Sequence, residues 1–201
     1  MTRNVGRGDV TGHGRAGAAP ERAASDGPRV VVIAGFMGAG KSTVARALGR
    51  RLSCRVIDLD DLITECAGRP PREIIDGDGE AHFRELETEA LREALGGDGP
   101  TVVATGGGAW ALARNRALAD ARHCLTVWLD APFELCWRRI LADAGTRPLA
   151  RDEQQARRLF DERRATYALA RLRLEVRDDT TPEMLSAAIA GALETDRITH
   201  E

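Results

Sequence analysis

Arg29-Val30-Val31-Val32-Ile33-Ala34-Gly35-Phe36-Met37-Gly38-Ala39-Gly40-Lys41-Ser42-Thr43 is the stretch that decides the fold of this chain. Its first six residues form a short run of the apolar, β-branched kind that suits a buried strand. Gly35 to Ser42 then fits GxxxxGK[ST], a loop whose glycines let backbone N–H groups turn inward on phosphate oxygens. A helix over residues 44–52 is expected next, started by Ser42 or Thr43, and its N-terminus adds partial positive charge beside the phosphates. Lys41 is the only lysine among the 201 residues. An ammonium is a compact point charge that can lie between two phosphates, whereas a guanidinium is a wide planar fork that would fill the loop's cavity. The stretch predicts a nucleotide site built from Gly38, Ala39, Gly40, Lys41, Ser42 and Thr43, with the Ser42 hydroxyl placed to hold Mg²⁺.

The rest of the chain narrows the classes open to it. A length of 201 residues suits one well-buried domain and is too short for two of ordinary size. A net charge of -2 argues against a nucleic-acid coat or an anionic membrane surface as the main partner. No apolar stretch approaches the roughly 20 residues that would span a bilayer, so a soluble protein is expected. Residues 1–28 are rich in Gly, Ala and Arg and lack the apolar centre of a secretory signal; they read as a flexible tail. Cys54, Cys66, Cys124 and Cys136 show no CxxC spacing, and the four histidines form no ligand cluster. Reduced, mostly buried thiols in a cytoplasmic protein are the expectation.

Beyond the tail, strand-like and helix-like segments alternate. Val56-Ile57-Asp58-Leu59-Asp60 reads as a second strand, followed by a short helix over 61–66 that Gly68-Arg69-Pro70-Pro71 closes. A long amphipathic helix is expected over 81–95, where Phe83, Leu86, Ala90, Leu91 and Leu95 share one stripe. Further strands are expected at 101–105, 123–129 and 172–176, with helices over 132–141, up to 167 and over 182–193. Five short strands alternating with helices predict an α/β protein, a parallel sheet covered on both faces, with ligands at the carboxyl ends of the strands.

Several side chains could carry chemistry there. Asp58 and Asp60, read as alternating along a strand end, would point to opposite sides and serve different ligands, one magnesium and the other substrate. The plainer reading is that either one caps the helix beginning near Asp61. Arg84 and Glu87, three apart on a helix, meet on one face. Gly106-Gly107-Gly108 after a strand lets a ligand approach the backbone closely. Thr146-Arg147-Pro148-Leu149 sits in a polar stretch between two helices, where a mobile flap is expected, and Arg147 could swing onto a transferring phosphoryl group. Arg163, Arg164 and Tyr167 follow on the next helix.

Taken in order, these motifs resemble the shikimate kinase family over residues 29–193. GFMGAGKST at 35–43 is similar to the family's phosphate loop and DLDDLI at 58–63 to its DxD segment. Asp76-Gly77-Asp78-Gly79-Glu80-Ala81-His82-Phe83-Arg84 is similar to its "GE..FR" stretch, the three glycines to its glycine triplet, and Thr146-Arg147-Pro148-Leu149 to its lid. The resemblance implies a three-layer P-loop kinase fold with a five-stranded parallel sheet in the order 2-3-1-4-5. It implies one domain over 29–196, a lid at about 143–155 and a C-terminal tail at 197–201. The activity implied is transfer of the ATP γ-phosphate to the 3-hydroxyl of shikimate, with Mg²⁺ as cofactor, in a monomer with no nucleic-acid or membrane partner.

By the same resemblance, Lys41 would contact the β- and γ-phosphates, Ser42 and Asp58 would hold Mg²⁺, and Asp60 would accept a hydrogen bond from the attacking hydroxyl. Arg84 and Arg163 would grip the substrate carboxylate, Glu87 would orient Arg84, and Gly106, Gly107 and Gly108 would line the ring. Arg147 would be the lid cation on ATP, and Arg139 would lie against adenine. One departure stands out: the family's R-x-P-L-Y is Arg163-Arg164-Ala165-Thr166-Tyr167 here. Spacing to Tyr167 selects Arg163, with Arg164 the alternative in a different helix register. A kinase of another hydroxylated acid such as gluconate, and a nucleotide-binding regulatory domain without catalysis, are the competing readings.

Overall fold

Val30–Ala34 forms β1, with every residue buried, because a central parallel strand covered by helices on both faces has no polar side to present. In the computed structural model, which describes residues 30–142 and 152–198, β1 leads through the phosphate loop into α1, Lys41–Leu52. The chain continues as β2 (Arg55–Asp58), α2 (Leu59–Ala67), α3 (Pro71–Asp78), α4 (Glu80–Leu95) and β3 (Thr101–Ala104). A single 3-10 turn (Ala109–Ala111), α5 (Ala113–Ala121), β4 (Leu125–Asp130) and α6 (Phe133–Ala142) follow. The last elements are α7 (Glu153–Tyr167), β5 (Leu172–Glu175) and α8 (Pro182–Ile198).

The five strands are parallel and ordered β2-β3-β1-β4-β5, as expected. Ile33 of β1 stands beside Ala104 of β3 and Val127 of β4, so β1 and β3 end near one level, β4 runs on to Asp130, and all three deliver their following loops to one edge. β3 and β4 are buried throughout, and the edge strands β2 and β5 are not. Val32, Ile33, Leu48, Val102, Val103, Val127 and Ile189 are among the side chains that fill the core between sheet and helices.

Several elements differ from the sequence expectations. β2 stops at Asp58, whose side chain accepts from the Asp60 N–H at 3.1 Å and caps α2. The capping reading is therefore correct for Asp58, and Asp60 lies in the first helical turn instead of alternating with it along a strand. The cap wins because it satisfies a backbone donor that would otherwise lack a partner. α3 is a whole helix where only a stop was read: Pro70 is its extended cap and Pro71 occupies its first turn, a position proline favours. α5 carries little apolar periodicity, burying only Asn115 and Ala119, and gave no signal. α1 begins at Lys41, before the expected start at 44, and α8 runs to Ile198, past the expected helix end at 193.

None of the four cysteines forms a disulfide, but only Cys124 and Cys136 are buried; Cys54 is half-buried and Cys66 exposed. Burial pushes the Cys124 thiol up to about 11. No helix of the described residues is long and apolar enough to cross a membrane. The expected tail at 1–28 and the centre of the expected lid, with Arg147, lie outside the described residues; 153–155 of that range begin α7.

Candidate active site

The phosphate loop is shaped from beneath by α6. Gly38 has φ 78°, and a Cβ there would come within 2.6 Å of the Cys136 carbonyl oxygen, so only glycine fits both the turn and the contact. One turn further along α6, Arg139 donates to the Gly38 and Ala39 carbonyls at 3.2 and 3.5 Å. Those bonds hold the loop's carbonyls down, on the side away from its N–H groups. Lys41 is buried, and its Nζ donates to the Phe36 carbonyl at 2.9 Å.

A cleft of about 620 Å³ opens from this loop along the carboxyl ends of the strands. It gathers Gly38, Gly40, Lys41, Ser42, Thr43, Asp58, Asp60, Arg84, Glu87, Gly106, Gly107, Gly108, Arg139 and Arg163. Ala39 faces instead a smaller hollow of about 230 Å³, shared with Gly40, Thr43, Arg139, Thr180, Pro182 and Leu185. The two cavities meet at Gly40, Thr43 and Arg139, on either side of the phosphate loop.

In the cleft wall, Arg84 pairs with Glu87 one turn on and with Glu80 one turn back, the latter at 2.7 Å. Glu87 is 1% exposed. Burial pushes its carboxyl up, and the nearby Asp60 adds to this; Arg84 and Arg163 pull the other way without cancelling it. Arg84 is lowered by burial, but its two carboxylates outweigh that and leave it above its ordinary value, so the guanidinium is charged. The glycine triplet gives these groups their room. A Cβ on Gly106 would stand 2.6 Å from a Glu87 oxygen and 2.9 Å from an Asp60 oxygen, and one on Gly108 would stand 2.6 Å from Arg84 Cζ.

α7 settles which of its neighbouring arginines faces this space. Arg163 is buried and lines the cleft, and its NH1 lies 3.7 Å from where a Cβ on Gly107 would be. Arg164 points away and pairs with Asp130 at 3.0 Å. Tyr167, one turn after Arg163, donates to the Gly107 carbonyl, and burial pushes its phenol up to about 12.

The cleft also contains residues the sequence did not single out. Pro71, Arg72 and Ile75 present one face of α3, and Arg46 and Asp61 flank the entrance from α1 and α2. Burial raises the Asp61 carboxyl, Asp58 adds to the rise and Arg46 opposes it. The α3 face was invisible while α3 itself was read as a turn; Asp61 stood in plain view within the Asp-rich DLDD run.

A parallel sheet with a glycine-lined phosphate loop after its central strand, a buried lysine and an acidic strand end define a P-loop phosphotransferase. Comparison with known proteins narrows the class. The family model for shikimate kinase matches residues 37–194. A shikimate kinase from Microcystis aeruginosa is 42% identical over 168 residues, covering 82% of this chain and 86% of that one. One from Geobacter sulfurreducens is 44% identical over 165 residues, covering 81% and 89%. The solved structure of shikimate kinase from Acinetobacter baumannii in complex with shikimate superposes with a TM-score of 0.78 at 32% identity, covering 85% of this chain and 95% of that chain. This chain belongs to the shikimate kinase family.

Proposed function

We propose that the cleft transfers the γ-phosphate of ATP to the 3-hydroxyl of shikimate, giving shikimate 3-phosphate and ADP. The observation that carries this reading is the presence, in one cleft with the phosphate loop and Lys41, of two guanidiniums, Arg84 and Arg163. Two converging arginines suit a carboxylate, which accepts bidentate hydrogen bonds in their fork geometry. The acid is held through that group, and its ring lies along the bare backbone of Gly106, Gly107 and Gly108. Glu87 fixes the direction of Arg84.

ATP enters from the other side. Its phosphates lie in the loop from Gly38 to Thr43, with Lys41 exchanging the Phe36 carbonyl for the β- and γ-phosphates. The base occupies the smaller hollow between Arg139 and Pro182. Ser42 and Asp58 offer hard oxygen donors of the kind Mg²⁺ prefers; both line the cleft, and Asp58 caps α2 through Oδ1. Bound there, the ion neutralises phosphate charge.

Asp60 accepts a hydrogen bond from the attacking hydroxyl and aligns it with the γ-phosphorus. Alignment of this kind supplies on the order of 7–11 kcal/mol of the barrier. Arg147, which lies outside the described residues, has the role the family resemblance implies, neutralising charge on the transferring group and helping to exclude the water that would otherwise hydrolyse ATP. The enzyme acts as a monomeric, cytoplasmic single domain over residues 29–196. Steady-state rates with shikimate and with gluconate test the substrate: strong preference for shikimate is expected, and equal or inverted preference contradicts the proposal.

A further inference from the structure

Asp130 ends β4 beneath α7 and is 8% exposed, yet it carries two arginines. Arg164 meets it as a fork, NH1 to Oδ1 at 3.0 Å and NH2 to Oδ2 at 3.2 Å. Arg173 of β5 adds two contacts to Oδ2, from Nε at 2.8 Å and NH2 at 2.6 Å. Trp128, two residues earlier and so on the same face of β4, lies under both guanidiniums, 5.4 Å from Arg164 and 5.1 Å from Arg173. One carboxylate thus joins α7 to both strands at this edge of the sheet.

The consequence reaches the cleft through helix geometry. Arg163 precedes Arg164 by one residue, which is about 100° of rotation and about 1.5 Å of rise. Fixing Arg164 by a two-point fork therefore fixes the rotation of α7 about its axis, and that rotation decides where Arg163 points. Tyr167 gives the same helix a second anchor on the cleft side, through Gly107. A point-charge contact would allow α7 to roll about the ion; a bidentate pair does not.

We infer that Asp130, acting through Arg164, is a positioning residue for Arg163 and thereby sets affinity for the acid substrate without touching it. The inference rests on the proposed role of Arg163 in gripping the substrate carboxylate. It also gives Arg164 a function of its own: the second arginine of the pair is a tether, and its chemistry is turned to the sheet.

The test uses the full chain, with KM and kcat for shikimate and for ATP measured in Asp130→Asn, Arg164→Gln and the double variant. Arg164 is 44% exposed at its side chain, so its variant keeps the fold even if the buried Asp130 variant does not. The KM for shikimate rises about tenfold in each single variant, the scale of one charged hydrogen bond, while the KM for ATP stays within about twofold. The double variant is no worse than the weaker single, because both remove one tether. Arg164→Lys, which keeps the charge and loses the fork, leaves the shikimate KM raised. A shikimate KM within about twofold of wild type in Arg164→Gln, with only a lower melting temperature, overturns the inference alone. A wild-type enzyme inert toward shikimate overturns the reading of the site and the inference with it.

Discussion

The guanidinium of Arg84 lies flat against the backbone of Gly108, so close that a Cβ on that glycine would stand 2.6 Å from Arg84 Cζ. The missing side chain therefore has a resident beneficiary besides any ligand. Gly106 does the same for the carboxylates of Glu87 and Asp60. The triplet sets the packing of the charged wall at the same time as it bares backbone to the cleft.

Gly108→Ala follows directly. Its backbone, at φ -103° and ψ -21°, is one that any residue adopts, so the fold and the melting temperature are kept. The added methyl instead displaces Arg84. The KM for shikimate is expected to rise by about tenfold or more and that for ATP to change by less than about twofold, given that about 1 Å of misplacement can cost about a hundredfold. Equal effects on both substrates would show that Gly108 serves the backbone and not Arg84.

Lys41→Arg addresses the loop. The ammonium is enclosed within hydrogen-bond reach of the Phe36 carbonyl, and the wider planar fork has no equivalent seat. Turnover falls at least about a hundredfold while circular dichroism and melting are unchanged, the scale seen when one group stabilising transition-state charge is lost. Near-normal turnover would refute the steric argument.

Arg139→Ala separates the two substrates in the opposite sense. Loss of the bonds to the Gly38 and Ala39 carbonyls loosens the loop and strips one wall from the smaller hollow. The ATP KM is expected to rise about tenfold, with the shikimate KM within about twofold. A rise confined to shikimate would remove Arg139 from the nucleotide site.

Tyr167 is the only tyrosine in the chain, so tyrosinate absorbance reads it without ambiguity. Its phenol titrates near 12 in the folded protein against about 10 when exposed, because burial opposes the charged form. Below pH 10 the folded and unfolded chains both keep the proton. Between 10 and about 12 only the unfolded chain loses it, so stability present below pH 10 falls as pH rises through that window. An ionisation midpoint near 10 in protein that is still folded would contradict the buried phenol and its bond to Gly107.

Most of the fold is legible in the sequence because its signals are local and agree with one another. Val30 to Ala34, the loop glycines and the apolar runs at β3 and β4 each define an element alone, and their alternation leaves a parallel sheet as the consistent answer. Asp60 was misread because DLD alternates in a way compatible with a strand; the competing event, Asp58 capping α2, depends on where the backbone turns. α3 was missed because Pro70-Pro71 punctuates a helix start as readily as a stop. In the site, Lys41 and the glycines stand out by type and spacing, whereas Arg84 and Glu87 stand out only through the family resemblance. Spacing to Tyr167 selects Arg163 over Arg164, but the physical reason is not in the local sequence: Arg164 turns to Asp130, a residue 34 positions away along the chain that only the tertiary structure brings beneath α7.

The most direct test of the account is identification of the product by phosphorus NMR after incubation with ATP, Mg²⁺ and shikimate. The γ-phosphate is expected on the 3-hydroxyl of shikimate, with one ADP released per product. Inorganic phosphate without a shikimate ester, or an ester at another hydroxyl, would contradict the assignment of the cleft.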